Sequence, residues 1–154
     1  HALLAGARLR GVDAVAPLCD TLERLPDTRA PDAQEVIAMA RTAGQLIVVG
    51  GHDRGYGLLE KAERAAARLR ELPPRAAAWL EWARAWQELA RGNVLRAYER
   101  DLASLHAFEA ANDVRGALES LRDQLPLEAE APQIRNSAAV RSATPGGQET
   151  NICM

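Results

Sequence analysis

Apolar residues recur at intervals of three and four along most of the chain, which is the spacing of one face of an α-helix. Glycine or proline breaks separate these stripes. In chain order the main stripes are Val15, Leu18, Leu22 and Leu25; Val36, Ile37, Ala40, Ala43, Gly44 and Ile47; Leu59, Ala62, Ala66 and Leu69; Trp79, Trp82, Trp86 and Leu89; Leu95, Tyr98, Leu102, Leu105 and Phe108; and Leu118, Leu121 and Leu125. With the apolar residues before Gly11, they predict seven helices between residues 2 and 125.

The residues that separate the stripes follow a regular order. Glycine turns fall at Gly11, Gly50-Gly51 and Gly92, about 40 residues apart, and proline breaks lie between them, at Pro26–Pro31 and Pro73-Pro74. The repeating unit is therefore helix, glycine turn, helix, proline break. The predicted units are three antiparallel helix pairs and a half-unit, at residues 2–25, 32–72, 74–111 and 113–125.

One such pair cannot bury its own apolar faces, whereas stacked neighbours can. The predicted fold is therefore all-α, with stacked antiparallel helix pairs forming a right-handed superhelical array of about 3.5 units. The first helices of the pairs, at residues 32–49 and 74–91, are expected to line its concave surface.

The composition changes at Pro126. Residues 126–154 contain three prolines, Gly146-Gly147 and only scattered large apolar residues, too few to offset the entropy of ordering the segment. The predicted organisation is a helical repeat domain at 1–125 and an extended or disordered tail at 126–154. Because the chain begins without Met and within a helical pattern, we expect it to be a fragment of a longer array.

The segment from Gly50 to Ala62 resembles the second helix of tetratricopeptide repeats. In that family a glycine turn precedes a small residue five positions on and an alanine twelve positions on, and Gly55 and Ala62 occupy these positions. Residues 107–118 are similar to the helix–turn–helix junction of a degenerate subtype with units of roughly 40 residues. That subtype occurs in large bacterial signal-transduction ATPases, LuxR-type regulators and kinase-associated arrays.

The resemblance implies a TPR-like array that acts as a protein–protein interaction or regulatory scaffold of a larger bacterial signalling or transcription-regulatory protein. The partner would be a protein, a peptide or another domain of the same parent chain. Counted back from Gly92 in the standard register, the large apolar positions fall instead on Glu81, Arg84 and Glu88, and only Ala85 and Ala97 match the small positions. Armadillo-like or HEAT-like helix pairs therefore remain alternatives.

Three tryptophans provide the most distinctive local pattern. Trp79, Trp82 and Trp86 share one face of the predicted fifth helix, which fits either core packing or an aromatic groove for a partner peptide. As partner-binding residues we select these three, with Arg41 and Gln45 as polar candidates.

The composition favours helices, and the net charge does not favour binding to polyanions. Alanine and leucine far outnumber valine and isoleucine, and the formal net charge is −2. Basic side chains alternate with acidic ones, so neither nucleic acid nor a membrane surface is an expected partner. No apolar run is long enough to cross a membrane, and the two cysteines form no framework, which favours a cytoplasmic setting.

Two patterns partly match known kinds of site, a nucleotide-binding loop and a histidine–carboxylate pair. Residues 46–57 resemble a strand followed by a glycine loop, but neither dinucleotide nor P-loop spacing is met, so a helix end and tight turn are expected. His106 lies at helical spacing from Glu109, without a second set of metal ligands.

We therefore predict no enzyme activity, no cofactor and no metal. Two rival functions remain: an effector-sensing segment that binds a small molecule to control an attached ATPase or kinase domain, and a helical enzyme that uses His52-Asp53-Arg54.

Overall fold

The computed structural model describes residues 2–27 and 30–118, and it is helical throughout, with short turns and no strand in these ranges. The helices are α1 (Ala2–Glu23), α2 (Ala33–Val48), α3 (His52–Ala67), α4 (Pro74–Ala90) and α5 (Val94–Ala110). A sixth helix, α6, begins at Val114 and is described to residue 118. The all-α prediction is confirmed. The predicted tail at 126–154 and the end of the predicted half-unit lie outside the described residues.

Local sequence signals set where these helices begin. Asp32 caps α2 by accepting a hydrogen bond from the backbone N–H of Gln34, and Glu35 completes a capping box by accepting from the backbone N–H of Asp32. Pro73 and Pro74 begin α4, where a missing N–H costs nothing. The side chain of Asp113 caps α6 by accepting from the backbone N–H of Gly116 at 3.1 Å.

Three helices end in the same way. The residue after the C-cap adopts a left-handed conformation at Gly50 (φ 92°), Gly92 (φ 82°) and Asn112 (φ 51°). In each turn the next residue donates its backbone N–H across the helix end: Gly51 to Leu46, Asn93 to Glu88, and Asp113 to Phe108. This is the Schellman motif, which satisfies the last carbonyl groups. The turns predicted at Gly50-Gly51 and at Gly92 are confirmed.

The pair predicted within residues 2–25 is wrong, because α1 is one continuous helix through Gly11 and Pro17. Gly11 does not have the positive φ that Gly50 and Gly92 use to reverse the chain. It serves close packing instead: a Cβ at Gly11 would lie 2.9 Å from Cγ1 of Val49. The described residues therefore contain six helices, arranged as α1, the pairs α2–α3 and α4–α5, and the start of α6.

The helices contact their neighbours in order. Helix α1 packs on α2 and α3, α2 on α3 and α4, and α4 on α3 and α5. Helices α4 and α5 are antiparallel, because Ser104 bonds to Ala78 while Arg100, one turn earlier, pairs with Glu81.

Helices α2 and α4 run in the same direction. Arg41 covers the ring of Trp79, and Gly44, later in α2, faces Trp82, later in α4. The two contacts therefore join residues with the same separation in sequence. We refer to this constant separation as the repeat register. It recurs beyond α4, where Nε of Arg75 lies 2.8 Å from Oδ2 of Asp113, the residue that caps α6.

The core follows the predicted stripes in α2, α3 and α4 but not in α5. In α5 the buried residues are Ala97, Asp101, Ser104 and Phe108. The predicted stripe of this helix had five members. Only Phe108 is buried, whereas Leu95 is exposed and Tyr98, Leu102 and Leu105 are half-buried. The buried side of this helix carries a carboxylate and a hydroxyl among its apolar residues. The apolar pattern alone therefore predicted the wrong side of α5 to be buried.

Candidate functional site

The three tryptophans form a continuous row of edge-to-face contacts along α4. The ring centroids of Trp79 and Trp82 are 5.4 Å apart, and those of Trp82 and Trp86 are 6.4 Å apart. Phe108 of α5 extends the row, 4.9 Å from Trp79. Edge-to-face pairs of this kind add about 0.5–1.5 kcal/mol each beyond the area they bury. The row joins α4 to α5 and holds the pair together.

Burial divides the row into two parts. Trp79 and Trp82 are each 3% exposed and belong to the hydrophobic core, so the core interpretation applies to them and they present almost no surface to a partner. Trp82 packs against α2 at Gly44, where a side chain would collide with its ring. Trp86 is only half-buried at the edge of the core. Of the three predicted contact residues, it alone offers an accessible aromatic surface.

The two polar candidates share the exposed side of α2. Arg41 and Gln45 are both exposed, one turn apart. The guanidinium carbon of Arg41 lies 4.4 Å from the ring centroid of Trp79, an arrangement in which the aromatic face attracts the cation. Arg41 thus covers the ring of Trp79, the buried end of the row, and not the accessible Trp86.

The repeat register, continued by one helical turn, brings Val48 level with Trp86, and Val48 is 42% exposed. Arg41, Gln45, Val48 and Trp86 therefore lie on neighbouring stretches of two helices that run side by side. We refer to these four residues as the α2–α4 face. By the repeat register, three of the five predicted site residues, Arg41, Gln45 and Trp86, share this face with Val48, while Trp79 and Trp82 are in the core. Val48 was missed because it lies in an apolar run, residues 46–49, in which the sequence does not distinguish the exposed member from the buried ones.

A cluster of charges fastens α1 to α3. Arg54 of α3 donates hydrogen bonds to Asp20 and Glu23 near the end of α1, the Glu23 bond spanning 2.9 Å. The hydrogen bond from Arg54, helped by one from Cys19, lowers the pKa of Glu23 below its ordinary value. The hydrogen bonds to Glu23 and then to Asp20 raise the pKa of Arg54. The bonds of Arg54 join α3 to the end of α1, which indicates a structural role.

Lys61 of α3 caps the C-terminal end of α1 with its side chain. It is the single lysine of the chain, and its ammonium donates to the backbone carbonyls of Glu23 and Leu25, both at 2.6 Å. These are carbonyls that a helix end leaves without an internal partner, and a cation there also complements the helix dipole. The Lys61 side chain is only 13% exposed, so its charge serves the junction between α1 and α3.

Cys19 lies in the core of this junction. Its side chain is completely buried, and its Sγ donates to a carboxylate oxygen of Glu23 at 3.2 Å. Burial, and then the hydrogen bond to Glu23, raise the pKa of the thiol to about 11. Because the thiolate is the reactive form, the arrangement suppresses nucleophilic chemistry at this position.

Charges of opposite sign alternate across α3, α4 and α5. Arg84 pairs with Glu63 of α3 at 2.7 Å and with Glu81 of its own helix, and Arg100 of α5 also pairs with Glu81 at 3.0 Å. Such partly exposed pairs contribute little individually, about 0–1 kcal/mol. Their carboxylates balance their guanidiniums, which is the pattern of a structural network rather than of a surface for a polyanion.

The segment that imitates a nucleotide loop is a helix end. Residues 46–48 are the last of α2, and Gly50 and Gly51 form the turn described above. His52 begins α3 and stacks on Tyr56, with ring centroids 5.9 Å apart, while Arg91 covers the same tyrosine at 5.3 Å. The sequence expectation of a tight turn is confirmed.

The histidine and carboxylate pattern in α5 does not converge on one site. Asp101 is buried against the core, whereas His106 and Glu109 are exposed. Within residues 2–27 and 30–118, no group of three or more His, Cys, Asp or Glu side chains could hold a metal ion. In the same ranges, no helix has both the length and the apolar character needed to cross a membrane.

Comparison with known proteins identifies no relative: no protein-family model matches the chain, and neither a curated protein nor a solved structure is significantly similar to it. The α2–α4 face and the order of the helices are therefore the features from which a function can be inferred.

Proposed function

We propose that this chain is a helical-repeat scaffold that binds a protein or peptide partner along the α2–α4 face. The observation that carries the proposal is the repeat register between the first helices of successive pairs. It relates α2 to α4 through Arg41–Trp79 and Gly44–Trp82, and α4 to the start of α6 through Arg75–Asp113. Equal steps between equivalent helices are what a stack of like units produces.

The helix starts support the same interpretation. Ala33, Pro74 and Val114 begin the first helices, and His52 and Val94 begin the second helices, so that equivalent starts are spaced by about 40 residues. In this proposal the helix pairs stack as a right-handed, TPR-like superhelix, and the first helices line its concave side. The natural setting would be a larger cytoplasmic regulator in bacteria, with the array holding another protein or another domain of the same chain.

The chemistry of the α2–α4 face indicates the kind of partner it suits. Trp86 and Val48 offer apolar contact, Gln45 can donate and accept hydrogen bonds, and Arg41 supplies positive charge. A peptide with one or two apolar anchors and a nearby carboxylate would match all four residues. Aromatic and arginine side chains are also the types that dominate binding energy at protein interfaces.

The test is selection from a random peptide display library with the immobilised full chain, followed by affinity measurement with each enriched peptide. Arg41→Ala, Gln45→Ala and Trp86→Ala should each weaken binding by about tenfold or more. Gln45→Ala should do so with little change in the urea unfolding midpoint, whereas Arg41→Ala and Trp86→Ala also remove contacts with Trp79 and Trp82 and should lower it. Arg96→Ala is the matched control, since Arg96 is an exposed arginine on α5, away from this face. Enriched peptides that bind all four variants like the unmodified chain would refute the proposal, and so would a library that yields no binder.

A further inference from the structure

Helix α6 carries exposed apolar residues along one side. Val114 is 67% exposed and Leu118, one helical turn later, is 61% exposed. In the sequence, Leu121 and Leu125 continue the same spacing beyond the described residues. We refer to these four residues as the α6 stripe. A run of large apolar side chains exceeds the scattered apolar residues that are normal at a surface, so the stripe calls for something that covers it.

Helix α4 shows what covers the equivalent side in the preceding pair. Counted from Pro74 and from Val114, the first four residues of α4 and α6 have the same burial: exposed, exposed, buried and half-buried. The fifth position differs, because Ala78 is fully buried whereas Leu118 is exposed. The carbonyl of Ala78 accepts a hydrogen bond from Ser104 of α5 at 3.0 Å. No helix in the described part of the chain covers Leu118 in this way.

The same count assigns the rest of the stripe. Leu121 and Leu125 correspond to Glu81 and Ala85 of α4. Arg100 of α5 pairs with Glu81 at 3.0 Å, and Ala85 is buried. The α6 stripe therefore corresponds to the side of α4 on which α5 packs. In a stack of like units, that side of α6 belongs to the second helix of its own pair.

One segment of the chain lies at the distance that such a helix requires. The second helices of the two described pairs begin at His52 and Val94, and a third equal step leads to about residue 136. Residues 133–144 lie there, without proline or glycine, between Pro132 and Pro145. A proline suits the start of a helix, and a proline after the end prevents its continuation.

The composition of this segment matches that of α5. The buried side of α5 consists mainly of small or polar residues, Ala97, Asp101, Ser104 and Phe108. Residues 133–144 likewise contain only two large apolar residues, Ile134 and Val140, with three small residues in succession at 137–139. Small side chains allow a helix to approach a neighbour that supplies the large ones, as the leucines of the α6 stripe do.

We propose that residues 133–144 of this chain form the second helix of a third pair and pack on the α6 stripe as α5 packs on α4. The chain itself then covers the apolar end of the described stack. This inference goes beyond the proposed function. It uses the stacking of pairs but not the α2–α4 face, so its failure would leave peptide binding by that face untouched.

Thiol labelling of the full chain tests the proposal. In a Cys153→Ser background, Leu118→Cys should react with a thiol reagent at least about tenfold more slowly than Leu95→Cys, because only the first position is covered. Leu95 is the matched control, since its exposed fraction among the described residues is 62%, close to that of Leu118. Mass spectrometry of the labelled peptides separates both positions from Cys19.

Variants in the proposed helix should remove the protection at position 118. Ala138→Pro should raise the labelling rate there to that of Leu95→Cys, because proline inside a helix removes a hydrogen bond and clashes with the preceding turn. Ala138→Gly, which weakens a helix without a clash, should raise the rate roughly fivefold. Thr150→Pro, outside residues 133–144, should leave it unchanged. Slow labelling of Cys19 in every variant shows that the core remains folded.

Three results would overturn the proposal. The first is equal labelling of Leu118→Cys and Leu95→Cys, which would mean that nothing covers α6. The second is protection that persists in both Ala138 variants, which would assign the cover to another segment. The third is protection that grows with the concentration of the chain, which would assign it to a second copy.

Discussion

Gly44 tests the packing between α2 and α4 most sharply. A Cβ at this position would lie 2.8 Å from Cε3 and 2.9 Å from Cη2 of Trp82, and closer still to Cζ3. The indole cannot move away easily, because Trp79 and Trp86 lie against it at 5.4 and 6.4 Å and only 3% of it is exposed. Gly44→Ala therefore forces α2 and α4 apart or pushes the ring out of its preferred conformation.

Overpacking costs about 1–3 kcal/mol, and about 2–3 kcal/mol here because the ring cannot move away, while the better helix propensity of alanine returns about 1 kcal/mol. The net expectation is a loss of about 1–2 kcal/mol in the free energy of unfolding, or a fall of roughly 3–6 °C in Tm. Urea unfolding followed by far-ultraviolet circular dichroism measures this, since Trp82 fluorescence would itself be altered. In a Trp82→Leu background the same change should cost less, and the difference between the two backgrounds gives the coupling energy.

Gly57 provides the matched control within the chain. It lies in the middle of α3, where an added Cβ would meet nothing within 4 Å. Gly57→Ala should therefore stabilise the protein by about 0.5–1 kcal/mol. If Gly44→Ala stabilises it to the same extent, the close approach of α2 to Trp82 does not exist, and the register between α2 and α4 must be abandoned.

Three further predictions follow from the turns and from the α1–α3 junction. Gly92→Ala should destabilise the chain by about 1 kcal/mol in urea unfolding, because its φ of 82° strains a side chain although nothing lies within 4 Å to clash with it. In a Cys153→Ser variant, native Cys19 should react with a thiol reagent far more slowly than the unfolded chain does, because it is buried and its pKa is raised to about 11. Folding lowers the pKa of Glu23. The stabilisation that the ionised Glu23 provides is therefore fully present above its unfolded pKa near 4.5 and is lost as the pH falls through its lower folded pKa. Glu23→Gln should accordingly flatten the acid side of a plot of unfolding midpoint against pH.

Each of these expectations has a result that contradicts it. A Gly92→Ala variant as stable as the unmodified chain would rule out the left-handed turn after α4. Rapid labelling of Cys19 at a urea concentration where the chain is folded would show that α1 does not pack on α2 and α3 as described. An acid profile unaffected by Glu23→Gln would mean that the contact with Arg54 does not persist in solution.

Much of the fold could be predicted from the sequence because the helices are amphipathic and the turns use residues with few alternatives. Gly50 and Gly92 adopt the left-handed conformation that glycine allows most easily, and the prolines at 73 and 74 begin α4. The turn predicted at Gly11 was wrong, since a glycine in a helical pattern can serve either a turn or a close contact. The sequence does not state which, because the neighbour that decides it, Val49, lies at the far end of the next helix.

The candidate site was less accessible from the sequence. The helical spacing of Trp79, Trp82 and Trp86 places them on one face but does not say what covers that face. Only the approach of α2 at Gly44 and of α5 at Phe108 separates two core tryptophans from the half-buried third. In α5 the hydrophobic pattern selected the outer side, because Asp101 and Ser104 occupy the inner one and Ser104 satisfies its hydroxyl by donating to the carbonyl of Ala78 at 3.0 Å.

The succession of helices side by side, α2 next to α4 and α4 next to α5, supports every functional statement above. Nuclear Overhauser spectra of the isotopically labelled full chain measure it directly. We expect cross-peaks between the Gly44 α-protons and the Trp82 ring, and between the Trp79 and Phe108 rings. Cross-peaks that join α1 to α5 in place of these would show a closed bundle and would contradict the stacked arrangement.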